Sequence, residues 1–216
     1  MEKKELQLQE KLVNYIRLTW DRRLTESTGG NMSVRIGDKV YITPTGFVKH
    51  FMTIDDLVVL DLSGNKIGGK LNVSSEYRMH LKLYNEREDI KSVFHAHPRY
   101  ALIHAFNHKE IPIKNSPENI YMLSGIEYIP YHMAGTDEFA DAFAEGAKKG
   151  KTIFMLYNHG VTTCGDSIES AYAKLESLET CCFTSILGGL VKEQPKDISA
   201  KEINDFVKKM GINLFE

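Results

Sequence analysis

Val93-Phe94-His95-Ala96-His97-Pro98 is the stretch around which the rest of this chain is organised. Apolar Val93 and Phe94 followed by two histidines one residue apart predict the end of a buried strand. Successive strand side chains point to opposite faces, so His95 and His97 face the same way. Pro98 then suits the opening of a helix, with Tyr100, Ala101, Leu102 and Ala105 as its apolar face. Two imidazoles side by side where a strand stops can hold one metal ion from two directions. Two unrelated histidines look the same in so short a motif, so the assignment rests on partners elsewhere.

The composition restricts the choice of function. The 216 residues are 42% hydrophobic and 26% charged, which fits one globular domain spanning 1–216 with a sizeable core. A formal net charge of -2 offers no electrostatic basis for binding nucleic acid or an anionic membrane. Cys164, Cys181 and Cys182 form no CxxC and no even framework, pointing to a reduced, cytoplasmic setting. The N-terminal MEKKELQLQEKL is too charged for a signal peptide, and no apolar run is long enough to span a bilayer.

Upstream of the histidines lie three polar corners. Leu6, Leu12, Tyr15, Ile16 and Trp20 recur at helical spacing and predict an amphipathic N-terminal helix, which stops before Thr25-Glu26-Ser27-Thr28-Gly29-Gly30-Asn31. That first corner is either an ordinary turn or a nest of backbone N–H groups for an anion. Met32–Arg35 and Lys39–Thr43 read as strands around Gly37-Asp38, and Thr43-Pro44-Thr45-Gly46 makes the second corner. Ile54–Leu57 resembles a helical turn and Val58–Leu62 a strand. The third corner is Asn72-Val73-Ser74-Ser75-Glu76, where Met79, Leu81, Leu83 and Tyr84 predict a helix with Ser74 near its N-cap. A helix N-terminus suits a phosphate. Glu76 also fits a first-turn acid that merely complements the helix dipole, and His80 reads as a packed or partly exposed helix residue.

Downstream, Asn107–Asn119 reads as irregular and Ile126–Tyr131 as a strand, followed by a helix capped by Thr136 running through Phe139 and Phe143. Thr152–Tyr157 is a continuous apolar run, predicted to be a buried strand ending in Asn158-His159-Gly160. A long helix follows from about Ser167, and a last one covers Lys201–Met210. His95, His97 and His159 thus all fall at predicted strand ends. If they converge, three imidazoles leave a coordination position open, the mark of a catalytic zinc site, and Glu76 could fill it or act as a base. Gly, Ser and Thr corners beside such a metal suit a phosphorylated, oxygen-rich substrate.

The motifs GGNMSVR, ITPTG, SSEYRMH, VFHAHPRYA, YHMAGT and NHGV, in this order and spacing, make the chain resemble the class II aldolase/adducin family. The resemblance implies a three-layer α/β/α fold about a mainly antiparallel sheet, and a homotetramer with active sites between subunits. It implies that His95, His97 and His159 bind Zn2+ or another divalent transition metal. Glu76 would be a ligand at rest and the catalytic acid/base once substrate displaces it, while Gly30, Asn31, Thr45, Gly46, Ser74 and Ser75 hold the substrate phosphate. The implied activity is reversible cleavage of a ketose 1-phosphate, L-fuculose 1-phosphate or another deoxy-ketose phosphate, to dihydroxyacetone phosphate and an aldehyde. Pentulose-5-phosphate 4-epimerases of the same family typically carry Asp where Glu76 stands, and some adducin-like relatives are non-catalytic interaction modules. A cupin also carries HxH, but needs a β-barrel where this chain predicts a helix. Two tyrosines of family aldolases fall here near Ser116 and at Met210, with Tyr121 close to the first, which leaves the proton donor to the leaving aldehyde unassigned.

Overall fold

The computed structural model describes residues 2–191 and 196–211. Helix α1 (Glu2–Asp21) leads into a meander of four strands: β1 (Asn31–Ile36), β2 (Lys39–Ile42), β3 (Val58–Asp61) and β4 (Lys66–Gly68). Then come α2 (Tyr77–Glu86), β5 (Ser92–Ala96), α3 (Arg99–Phe106), α4 (Pro117–Leu123), β6 (Ile126–Ile129), α5 (Asp137–Asp141) and α6 (Ala144–Lys148). Strands β7 (Ile153–Leu156) and β8 (Gly160–Gly165) form a hairpin, and α7 (Ile168–Leu190) and α8 (Ala200–Met210) follow. The eight strands form one sheet in the order β4-β3-β2-β1-β5-β8-β7-β6. Only the β6–β7 pair is parallel.

Strand β5 is buried along its length because both faces are covered. Val93 packs with Met79 and Leu83 of α2 and with Phe139, Phe143 and Ala147 of the α5–α6 layer. Phe94 and Ala96 pack on the opposite face with Leu12, Ile16, Ala101, Leu175 and Leu178, contributed by α1, α3 and α7. The result is three layers, α/β/α, about a mainly antiparallel sheet, as the family resemblance implies. Each fully buried Phe or Leu here contributes on the order of 1.5–3 kcal/mol relative to exposure.

Several local expectations change. Strand β8 is absent from the sequence reading because Gly160-Val161-Thr162-Thr163-Cys164-Gly165 shows no apolar alternation. Its threonines are fully buried between β5 and β7, and Thr163 satisfies its hydroxyl by donating to the Ala171 carbonyl. The short edge strand β4 was also missed. The segment read as irregular, Asn107–Asn119, ends in the start of α4, with Ser116 accepting from Asn119 N–H and Pro117 in the first turn. Pro98 is the N-cap of α3 rather than its first residue. Ser74 does not cap α2: the helix starts at Tyr77, Glu76 occupies the boundary, and Ser74 Oγ accepts from the Glu76 N–H at 3.3 Å. The helix after Thr136 breaks into α5 and α6 around Ala142 and Phe143.

Among the described residues, no helix is long and apolar enough to cross a membrane. All three cysteines are buried and unpaired.

Candidate metal centre

His95 lies within β5 on the face of Val93, fully buried toward α2. Thr162 stands opposite it in the β5–β8 ladder, with the two side chains 3.1 Å apart from Nδ1 to Oγ1. His97 follows directly after the strand, and its Nδ1 meets Glu26 Oε1 at 2.7 Å. His159 sits in the turn between β7 and β8, beside Asn158 at φ +58°. That turn comes close to β5 only because the next residue is glycine. A Cβ on Gly160 would lie 2.7 Å from both the Ala96 carbonyl and the His97 ring.

One ligand atom from each of His95, His97 and His159 falls within 4.8 Å of the others. Glu76 closes the group, with Oε1 3.3 Å from His159 Nε2 and Oε2 3.5 Å from His95 Nε2. Among the described residues, His95 Nε2, His97 Nε2 and Glu76 Oε1 are buried without a hydrogen-bond partner. Unpaired buried polar atoms are costly, and three of them converging on one point is the arrangement a cation resolves. The Nδ1 atoms of His95 and His97 are meanwhile held by Thr162 and Glu26, the orienting contacts that metal-binding imidazoles usually have. Burial, and then the neighbouring His159, hold His95 well below the usual histidine range. Burial lowers His159 to about 4. Both rings are therefore neutral near pH 7, the form that binds a metal. Burial also raises the Glu76 carboxyl, against the pull of the Asn31 hydrogen bond and of His97. Three imidazoles and a carboxylate fit a zinc-type divalent ion.

The three polar corners meet beside this centre. Lys49 is fully buried. It ties the first corner down from below, donating from its backbone N–H to Ser27 O and from Nζ to Thr28 O. Thr45 N–H donates to Asn72 O, and Pro44 bridges to Val73, joining the second corner to the third. Asn31 joins the first to the third, donating from Nδ2 to Glu76 Oε2 at 2.6 Å. Gly30 runs so close to β5 that a Cβ would lie 2.5 Å from the His95 carbonyl, at a φ of +66°. Ser74 is nearly buried, whereas Ser75 and Gly46 are open to solvent. Ser116 is occupied as a helix cap and Met210 ends α8.

The model of the Class II Aldolase and Adducin N-terminal domain matches residues 10–186. The chain belongs to the class II aldolase/adducin family. The L-fuculose phosphate aldolase of Methanocaldococcus jannaschii is 37% identical over 181 residues, covering 84% of this chain and 97% of that one. A 5-deoxy-D-ribulose 1-phosphate aldolase of Bacillus thuringiensis is 32% identical over 206 residues, 93% of each chain. The 3-oxo-tetronate 4-phosphate decarboxylase of Haemophilus influenzae is 30% identical over 180 residues, covering 81% of this chain and 85% of that one. Among solved structures, an L-fuculose 1-phosphate aldolase superposes with a TM-score of 0.82 at 29% identity, covering 95% of this chain and 97% of the other. As a family member with aldolases among its relatives, the protein is a class II, metal-dependent aldehyde-lyase.

Sequence reasoning missed Glu26, Thr162 and Lys49. Thr162 becomes legible only once β8 is paired with β5 in register. Glu26 and Lys49 lie in or near the first two corners, but nothing in their spacing points to His97 or to the Thr28 carbonyl.

Proposed function

We propose that the protein is a zinc-dependent aldolase that reversibly cleaves a ketose 1-phosphate, L-fuculose 1-phosphate or another deoxy-ketose phosphate, into dihydroxyacetone phosphate and an aldehyde. The observation that carries this reading is the Glu76 carboxylate, facing two imidazole Nε2 atoms at 3.3 and 3.5 Å with Oε1 otherwise unpartnered. His95, His97 and His159 hold the ion, with Glu76 as a fourth ligand at rest. A divalent ion there supplies Lewis-acid stabilisation of the negative charge that develops as the carbon–carbon bond breaks.

The chain's own groups do the rest. Gly30, Asn31, Thr45, Gly46, Ser74 and Ser75 fix the substrate phosphate through backbone N–H, hydroxyl and amide donors. Anchoring that end places the reacting carbons beside the histidines and removes much of the entropic barrier. Oε2 of Glu76 is held by Asn31, so Oε1 is the oxygen that takes the hydroxyl proton in the cleavage direction and returns it in synthesis. A scaffold or interaction module has no use for four unsatisfied or facing metal donors, which favours catalysis. A homotetramer is part of this proposal: Phe51, Tyr131, Met133 and Leu190 are each at least 62% exposed, apolar surface that assembly would cover.

The test is to load purified protein with zinc and screen it against several ketose 1-phosphates, following dihydroxyacetone phosphate with and without chelator. Chelator-sensitive release is expected. Release from none of them, or turnover of a pentulose 5-phosphate or a 3-oxo acid phosphate instead, overturns the aldolase assignment.

A further inference from the structure

Beneath Glu76 a buried chain of short hydrogen bonds continues past Asn31 to His80, Ser33 and Tyr84, which the lyase reading leaves unused. Tyr84 Oη and Ser33 Oγ are 2.6 Å apart, and Ser33 Oγ lies 2.7 Å from His80 Nδ1. His80 Nε2 is 2.6 Å from Asn31 Oδ1, and Asn31 Nδ2 is 2.6 Å from Glu76 Oε2. Ser33 and His80 are fully inaccessible, as is Tyr84, and Asn31 is 4% exposed. These residues come from two layers, β1 and α2, so the chain is a tertiary feature.

Its polarity follows from elementary donor and acceptor rules. An ionised Glu76 only accepts, so the Asn31 amide must turn its NH2 toward it. Asn31 Oδ1 then accepts, which makes His80 Nε2 the N–H nitrogen. A neutral ring leaves Nδ1 with a lone pair, to which the Ser33 hydroxyl donates. Tyr84 in turn donates to Ser33. Each hydrogen bond of the chain then has one donor and one acceptor, and no other arrangement achieves this with Glu76 ionised and the His80 ring neutral.

We propose that His80 is a positioning residue: its Nε2–H, braced by Ser33 and Tyr84, locks the Asn31 amide with its NH2 toward Glu76 and so fixes the orientation of the acid/base. This rests on the reading of Glu76 as that acid/base. A locked Asn31 can only donate into the site, so it selects an anionic or acceptor oxygen there. Without His80 only the ionised carboxylate orients the amide, and that hold is lost each time Glu76 takes up a proton.

Two measurements test it. Nitrogen-15 NMR of the His80 ring in the full-length protein should find the Nε2–H tautomer, and the Nδ1–H tautomer overturns the proposal. In zinc-loaded enzyme, His80→Leu should lower kcat about 10–100-fold, the scale typical of lost supporting contacts, with wild-type metal content and little change in KM. His80→Gln places an amide N–H and a carbonyl oxygen at similar spacing, and should recover most of that loss. Wild-type kcat in a folded His80→Leu, or His80→Gln as slow as His80→Leu, contradicts the role. If His80→Leu fails to fold, Ser33→Ala removes the brace with less disturbance and should still reduce kcat several-fold; an unchanged kcat there counts against the proposal. Should the wild-type protein cleave no ketose 1-phosphate, the functional reading fails and the tautomer alone decides this one.

Discussion

The Asn31 side chain donates to Glu76 across 2.6 Å, joining the first residue of β1 to the boundary residue of α2. Asn31 also stands opposite His95 in the β1–β5 ladder. One residue thus connects the first polar corner, the proposed metal ligands and the proposed acid/base, and the expected consequences of substitution follow from that geometry.

His97 contributes a buried, unpartnered Nε2 and little to the core. His97→Ala is expected to keep its circular dichroism spectrum while losing bound zinc and most lyase activity. Elemental analysis of dialysed protein checks this, and stoichiometric zinc with wild-type turnover would contradict it.

Glu76→Gln keeps the size of the side chain and an oxygen for Asn31 to donate to, but cannot take a proton. Turnover should fall by about 10²–10⁴-fold, the usual worth of a general base, with the fold and part of the metal affinity retained. A full-rate mutant would remove Glu76 from that role.

Glu26 and Thr162 hold the far nitrogens of His97 and His95. Glu26→Gln and Thr162→Val should each weaken zinc binding by about 10–100-fold in a chelator competition, without removing a ligand. Unaltered affinity in both would show that these contacts do not orient the rings.

Gly30→Ala places a methyl 2.5 Å from the His95 carbonyl at a φ that alanine rarely adopts. Backbone strain alone costs on the order of 1–3 kcal/mol, and the clash adds to it by prying β1 from β5. A lowered urea midpoint with reduced metal retention is expected; an unshifted midpoint would refute it.

Burial lowers His80 to about 3, from an ordinary histidine value of 6.5. Between those values the unfolded chain binds a proton that the native state does not, so stability rises with pH across this window. The contribution is complete above about pH 6.5. It is lost as the pH falls toward 3. Comparing denaturant midpoints at pH 4.5 and 7, the wild-type protein should lose more stability than His80→Gln, which has no proton to take up. Equal losses would mean that His80 is not held neutral.

The amino-acid sequence by itself determined the local features: the amphipathic α1, the buried strand β5, the glycine and serine corners, and His95, His97, His159 and Glu76 as candidate donors at element ends. These depend on periodicity and on residue chemistry, both of which act over a few neighbouring positions. It did not reveal β8, whose Thr162 and Thr163 read as polar yet lie buried between two strands. Nor did it reveal that Asn31 reaches Glu76, that Glu26 steadies His97, or that His80 is wired to both β1 and the site. Those relationships depend on strand register and on the close approaches that Gly30 and Gly160 permit. Pairing partners 45 to 71 positions apart in the chain is a property of packed layers, and no local pattern encodes it.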